Sequence, residues 1–223
     1  VILQQKIMTF DKEKYIEIVD FINKNSEKNV KIVAVSKNHS KKSVIDAIKS
    51  GVLIFGENRV QEALSKFSDI KKDNKEIELH LTGPLQSNKV KQAIEIFDVF
   101  QTLDREKLAK EFIKHFDIVK NKKFFIQINT GKEKNKSGIL PEDADRFINY
   151  CKFEIKLPIV GLMCIPPIND SPTDHFNVLK KISNKNNLEH LSMGMSGDYE
   201  EAIFVGATYI RVGTKLFGSR HDL

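Results

Sequence analysis

The chain has no tryptophan, only two cysteines and six prolines in 223 residues, and no long apolar run. Each shortage closes a route. A membrane-spanning helix needs about 18 consecutive apolar residues or more, and no stretch supplies them. Two cysteines, Cys151 and Cys164, cannot build a disulfide framework. Neither sits in a CxxC pair or a Cys/His cluster, which argues against structural zinc. The opening VILQQKIMTF has no clean apolar core followed by a small-residue cleavage site, so no secretory signal is expected. A reducing, cytoplasmic compartment fits. Met8 is expected to be the natural start, with residues 1–7 left by cloning. Residues 1–10 are expected to be a disordered leader and 11–223 a single domain.

Arginine is scarce as well. The net charge is +6, yet only Arg59, Arg105, Arg146, Arg211 and Arg220 contribute guanidinium groups, so 31 of the 36 basic residues are lysine. Nucleic-acid binding favours basic residues gathered on one face, often with arginine for bidentate contacts. Lysine pairs scattered along the chain read as a solvated surface instead. At 40% hydrophobic and 30% charged, the composition is that of an ordinary globular protein.

What the chain does contain is alternation. Residues 11–26 carry Tyr15, Ile18, Val19 and Ile22 at helical spacing, and predict a first helix. VKIVAVSK (30–37) is β-branched and nearly continuous, as a buried parallel strand is. A helix over 41–50 follows and ends at Gly51, a plausible C-cap. Strand-then-helix units recur from there. Strands are predicted at 52–57, 77–83, 98–104, 123–131, 157–165, 189–194 and 208–213. Helices are predicted at 58–70, 87–96, 105–118, 141–153, 174–184 and 198–205. In the helix over 105–118 Leu108, Phe112 and Phe116 share a stripe. Eight βα units predict an α/β protein: one closed (β/α)₈ TIM barrel with an extra N-terminal helix. The alternative, an open doubly wound sheet, is weakened because no GxGxxG follows the first strand.

Barrels of this kind work at the C-terminal ends of their strands. Strand 1 ends at Ser36-Lys37, and Lys37 shares a face with Val33 and Val35. If that face is interior, burial disfavours the charged amine and makes Lys37 a nucleophile; the plainer reading is a solvated lysine. Strand 2 runs into Glu57, Asn58 and Arg59. Strand 3 carries His80, and a lone histidine in an apolar strand is more often a satisfied core residue than a ligand. Strand 5 ends at Asn129, before a lysine-rich loop. Strand 7 leads into Ser192-Met193-Gly194-Met195-Ser196-Gly197 ahead of a helix, and strand 8 ends Arg211-Val212-Gly213-Thr214. Small residues and hydroxyls at these two junctions are the recurrent phosphate cradle of the fold. An amine on strand 1 and a phosphate cradle on strands 7 and 8 together call for a ligand with an aldehyde and a phosphate, which describes pyridoxal 5′-phosphate. Arg211, in an otherwise apolar strand, could then face the pyridine nitrogen and blunt the ring as an electron sink.

The segments AVSK (34–37), GENRVQE (56–62), HLTGPLQSNK (80–89), NKSG (135–138), GLMCIPP (161–167), LSMGMSGDYEEAI (191–203) and RVGTKLFGSR (211–220) resemble, in order, those of the YggS/PROSC family of pyridoxal-phosphate-binding homeostasis proteins. The resemblance spans about residues 11–220 and implies the N-terminal barrel of alanine racemase. It implies that Lys37 forms the internal aldimine and that Ser196, Gly213 and Thr214 hold the phosphate. Arg211 would approach the pyridine nitrogen, with Asn58, His80 and Met193 lining the ring. Two positions depart from the family's usual pattern, Arg59 and Leu79, where it commonly has bulky or aromatic residues. The expected function is a monomeric buffer or carrier that maintains intracellular pyridoxal phosphate and serves pyridoxal-phosphate-dependent apoenzymes. Little or no turnover is expected, because the second domain that supplies a racemase's opposing tyrosine is missing from the reading. The alternative is a pyridoxal-phosphate-dependent amino-acid racemase or a related enzyme. No metal, nucleic-acid or membrane partner is expected.

Overall fold

In the computed structural model, which describes residues 9–218, eight parallel strands pair in chain order and the eighth returns to the first. The strands are β1 (Lys31–Val35), β2 (Ile54–Glu57), β3 (Glu78–Leu81), β4 (Val99–Leu103), β5 (Lys123–Ile128), β6 (Ile159–Cys164), β7 (His190–Ser192) and β8 (Tyr209–Val212). Closure rests on four β1–β8 pairs, from Lys31 opposite Tyr209 to Ala34 opposite Val212. A closed parallel sheet leaves no edge unpaired, and strands covered on both sides must be apolar throughout. β4 is buried at all five positions, although Gln101 and Thr102 there are polar.

Period-two alternation divides the apolar residues into two cores. One face fills the barrel: Val33, Val35, Val99, Phe125, Met163 and Tyr209 form an interior cluster. The other face packs beneath the helices, where Phe55, Phe67, Phe100, Phe112, Phe124 and Phe176 are fully buried.

The helices are α1 (Lys12–Asn25), α2 (Lys41–Lys49), α3 (Val60–Asp73), α4 (Val90–Ile96), α5 (Glu106–Ile113), α6 (Phe116–Val119), α7 (Ala144–Asn149), α8 (Pro172–Lys185), α9 (Tyr199–Val205) and α10 (Thr214–Phe217). Asp11 caps α1 by accepting the Lys14 N–H at 2.9 Å, and Ser40 caps α2 by accepting that of Ser43 at 3.2 Å. Gly51, just past α2, has φ +93°, as its C-cap reading requires.

Three local expectations are corrected. The single helix over 105–118 divides at Lys114-His115, where His115 leaves helical dihedrals. Phe116 therefore rotates off the stripe of Leu108 and Phe112 and is 45% exposed. The turn after the last strand is the helix α10. The ordered chain also begins before residue 11. Phe10 packs against Tyr15 and Phe217, with ring centroids 6.0 and 5.4 Å away, and the Thr9 hydroxyl donates to Asp46 at 2.5 Å. The remainder of the expected leader, residues 1–8, lies outside the described residues, as does Arg220.

Candidate functional site

At the C-terminal mouth of the barrel a cavity of about 320 Å³ is lined by the ends of β1 and β8 and by the loops after β2, β3 and β7. Val35 lines it from β1 and Lys37 from the turn just beyond, Asn58 from the β2 loop and Thr82 from just beyond β3. The β7 loop contributes Met195, Ser196 and Gly197, and β8 with its loop contributes Arg211, Gly213 and Thr214. Such a volume lies within the usual ligand-pocket range of about 300–1,000 Å³. Six of the residues singled out in the sequence thus share one cavity: Lys37, Asn58, Ser196, Arg211, Gly213 and Thr214.

Alternation explains how they meet. Val33 and Val35 belong to the interior cluster, and Lys37 continues that face beyond the end of β1. Arg211 pairs opposite Val33. Two residues on, Gly213 comes so close to β1 that a Cβ there would stand 3.2 Å from the Val35 carbonyl oxygen. The Ser196 hydroxyl oxygen accepts the N–H groups of Gly213 and Lys215 at 3.3 and 3.4 Å. It thereby joins the β7 and β8 loops. Asn58 Oδ1 accepts the Thr82 hydroxyl at 2.9 Å, which fixes which end of that amide faces the strand.

The segment bearing Lys37 is anchored on both sides by a buried ionic cluster. Lys66 of α3 donates to the Ser36 carbonyl at 2.7 Å and the His39 carbonyl at 3.1 Å. The same ammonium pairs with Glu57 at 2.6 Å and Glu62 at 2.8 Å. Ser36 donates its hydroxyl to Glu57 at 2.6 Å, and Glu62 accepts the Asn38 N–H at 2.6 Å. Asn38 takes the left-handed conformation with φ +62°, which asparagine tolerates better than most residues. Glu57 is fully buried. Burial raises its pKa to about 7, outweighing the pull of Lys66 and Ser36.

Arg211 is 4% exposed. Its guanidinium donates to the Ser192 hydroxyl and the Cys164 carbonyl, both at 2.8 Å. These bonds leave further N–H donors beside the cavity. Burial lowers the pKa of this group, and Asp198 partly opposes that. Burial also pushes both cysteine thiols up to about 12, so neither is a ready nucleophile.

Two predicted ring contacts, His80 and Met193, are not brought to this cavity. His80 lies on the interior face but one residue pair deeper than Thr82. It is fully buried and bonded to Glu78 at 2.8 Å and Gln101 at 2.7 Å. This is the satisfied core histidine of the plainer sequence reading. Met193 follows the inward Ser192, so alternation turns it outward into the helix-covered core, where it is fully buried. Gly194, at φ +90°, then turns the chain so that Met195 reaches the cavity. Thr82 was not singled out, although its parity with His80 marks it as inward.

The model of the alanine racemase N-terminal domain family matches residues 14–221. A pyridoxal phosphate homeostasis protein of Haemophilus influenzae is 36% identical over 231 residues, covering 99% of this chain and 94% of that protein. One from Aquifex aeolicus is 36% identical over 206 residues, covering 87% and 89%. Among solved structures, PipY of Synechococcus elongatus without pyridoxal phosphate superposes with a TM-score of 0.82 at 31% identity, over 93% of this chain and 99% of that one. The same protein with pyridoxal phosphate bound gives 0.78. Alanine racemase from Corynebacterium glutamicum, at 16% identity and a TM-score of 0.67, shares the fold; 92% of this chain is covered but only 60% of the racemase.

Proposed function

This chain belongs to the alanine racemase N-terminal domain family, and from that premise we propose that it binds pyridoxal 5′-phosphate at the barrel mouth and acts in cofactor homeostasis with little or no turnover. One observation carries the proposal: a single cavity contains one amine, Lys37, together with Arg211 and the small, hydroxyl-bearing loops at Ser196, Gly213 and Thr214. The residues fit the group. A Cβ at Gly197 would meet nothing within 4 Å, so that glycine leaves open space in the β7 loop for an oxyanion. When bound, the cofactor supplies an aldehyde that a primary amine captures reversibly and a phosphate that serves as a handle.

Lys37 is the amine that takes the aldehyde. Ser196, Gly213 and Thr214 hold the phosphate, and Asn58, Thr82 and Met195 border the ring. Arg211 is the group for the pyridine nitrogen. A guanidinium stays charged and offers only donors, so it does not supply the proton that would make the ring a strong electron sink. An aspartate or glutamate there would do the opposite. Racemisation needs a proton carrier on each face of the substrate carbon. Among the described residues, the cavity's lining includes no tyrosine, histidine or carboxylate to oppose Lys37. This favours storage and delivery over catalysis.

The recipients are pyridoxal-phosphate-dependent apoenzymes, and a cytoplasmic monomer is the working unit. Among the described residues, no helix is long and apolar enough to cross a membrane. The test is a titration of cofactor-free protein with pyridoxal phosphate, followed by visible absorbance. Wild type is expected to develop a bound-cofactor band that Lys37→Ala abolishes. It should not exchange deuterium at Cα of amino acids above the rate of free cofactor. The same band in Lys37→Ala, or saturable exchange by wild type, would refute the proposal.

A further inference from the structure

A line of buried polar groups runs through the barrel from Arg211 at the mouth to Lys123 at the opposite end. Arg211 donates to the Ser192 hydroxyl at 2.8 Å. Ser192 donates to Gln101 Oε1 at 2.6 Å, and Gln101 Nε2 meets His80 Nδ1 at 2.7 Å. His80 Nε2 meets Glu78 at 2.8 Å, and Glu78 pairs with Lys123 at 2.6 Å. Ser192, Gln101 and His80 are each fully buried. Apolar residues at these positions would avoid the cost of burying polar groups, so the line needs a reason beyond filling the barrel.

Its chemistry runs in one direction only. Glu78 is held as an acceptor: the hydrogen bond from His80 and the pairing with Lys123 lower its pKa against the cost of burial. His80 therefore presents its proton on Nε2. Burial holds its pKa down and keeps the ring neutral, so Nδ1 is an acceptor. An acceptor at Nδ1 requires the amide nitrogen of Gln101 and turns Oε1 toward Ser192. The Ser192 hydrogen is then committed to Gln101, and its oxygen is open to receive Arg211. Reversing the amide would demand a charged imidazolium in the barrel's interior, which burial opposes.

We propose that Gln101 is a positioning residue: held one way round by neutral His80, it makes Ser192 an acceptor for Arg211 and so aims the guanidinium at the cofactor's ring. The inference rests on the cofactor reading above.

The test combines two readouts. In cofactor-free protein, ¹⁵N NMR of the His80 ring should show a neutral imidazole protonated at Nε2. Gln101→Glu, which keeps an acceptor for Ser192 but faces His80 with another, should convert the ring to imidazolium. Gln101→Leu should weaken pyridoxal phosphate binding about tenfold, the worth of one hydrogen bond to a charged group, and shift the bound cofactor's visible maximum. In a Ser192→Ala background, Gln101→Leu should change neither quantity further, because Gln101 acts through Ser192. If Gln101→Leu does not fold, the Gln101→Glu spectrum decides. A neutral His80 in Gln101→Glu, a folded Gln101→Leu with wild-type affinity and spectrum, or additive effects of the two substitutions would overturn the proposal. Wild-type protein that binds no cofactor but shows the expected His80 tautomer would refute the functional reading and leave the hydrogen-bonded line standing.

Discussion

Replacing Glu57 by glutamine removes one titrating group from the cluster that anchors Lys37, and its effect on stability depends on pH. The carboxyl's ordinary value of 4.5 rises to about 7 in the folded chain, chiefly through burial. Its Oε2 has no hydrogen-bond partner in the described structure and is the natural seat for a proton. Below about pH 4.5 both folded and unfolded chains carry that proton, and no penalty arises. Between 4.5 and 7 the folded chain binds more protons than the unfolded one, so stability falls as pH rises, by roughly 1.4 kcal/mol per unit. The full loss of about 3 kcal/mol is reached above pH 7. Burial lowers the pKa of His80 and His190, which gives the opposite slope below their unfolded value. The wild-type curve alone is therefore not diagnostic. Subtracting the Glu57→Gln curve isolates Glu57, because both proteins share the histidines. Urea unfolding from pH 4.5 to 8 should show wild-type stability minus variant stability dropping by about 3 kcal/mol. A flat difference, or one that rises with pH, would show that pairing with Lys66 outweighs desolvation and would refute the reasoning.

Three further outcomes follow from the same geometry. Lys66→Met leaves Glu57 and Glu62 without their buried cation and should cost about 3 kcal/mol or more above pH 7. The cost should be smaller at pH 5, where Glu57 takes a proton; urea unfolding at the two pH values checks this. Ser196→Ala should raise the pyridoxal phosphate off-rate about tenfold, as loss of a charge-assisted hydrogen bond implies, while Tm stays near wild type. Its own bonds to Gly213 and Lys215 are long, at 3.3 and 3.4 Å. Gly161→Ala would set a Cβ 2.1 Å from the His190 carbonyl oxygen. Strain of about 1–3 kcal/mol should lower Tm by several degrees in thermal unfolding, and an unchanged Tm would contradict the observed β6–β7 approach.

Much of this architecture is legible in the chain. VKIVAVSK is apolar on both faces up to its end, the strands after it are mostly apolar, and each is followed by a helical stretch, which is the signature of a closed parallel sheet. Lys37, Ser196 and Gly213 stand at junctions where the fold alone directs attention. Depth was harder to read. His80 and Thr82 share parity, and period two reveals the face but not the level within the barrel, so the deeper residue drew the notice due to the upper one. Met193 and Met195 exchanged places because Gly194 breaks the alternation between them. Gln101 escaped notice because its partners His80 and Ser192 lie 21 and 91 residues away in sequence. The break at Lys114-His115 has no proline or glycine to announce it, and Phe116 kept its helical spacing on paper.

The central claim concerns the Lys37 amine, and a peptide map tests it most directly. Protein saturated with pyridoxal phosphate, reduced with borohydride and digested, should carry the pyridoxyl group on the peptide containing Lys37, with the other 30 lysines unmodified at stoichiometric cofactor. A label spread over surface lysines, or concentrated on a different one, would contradict the account.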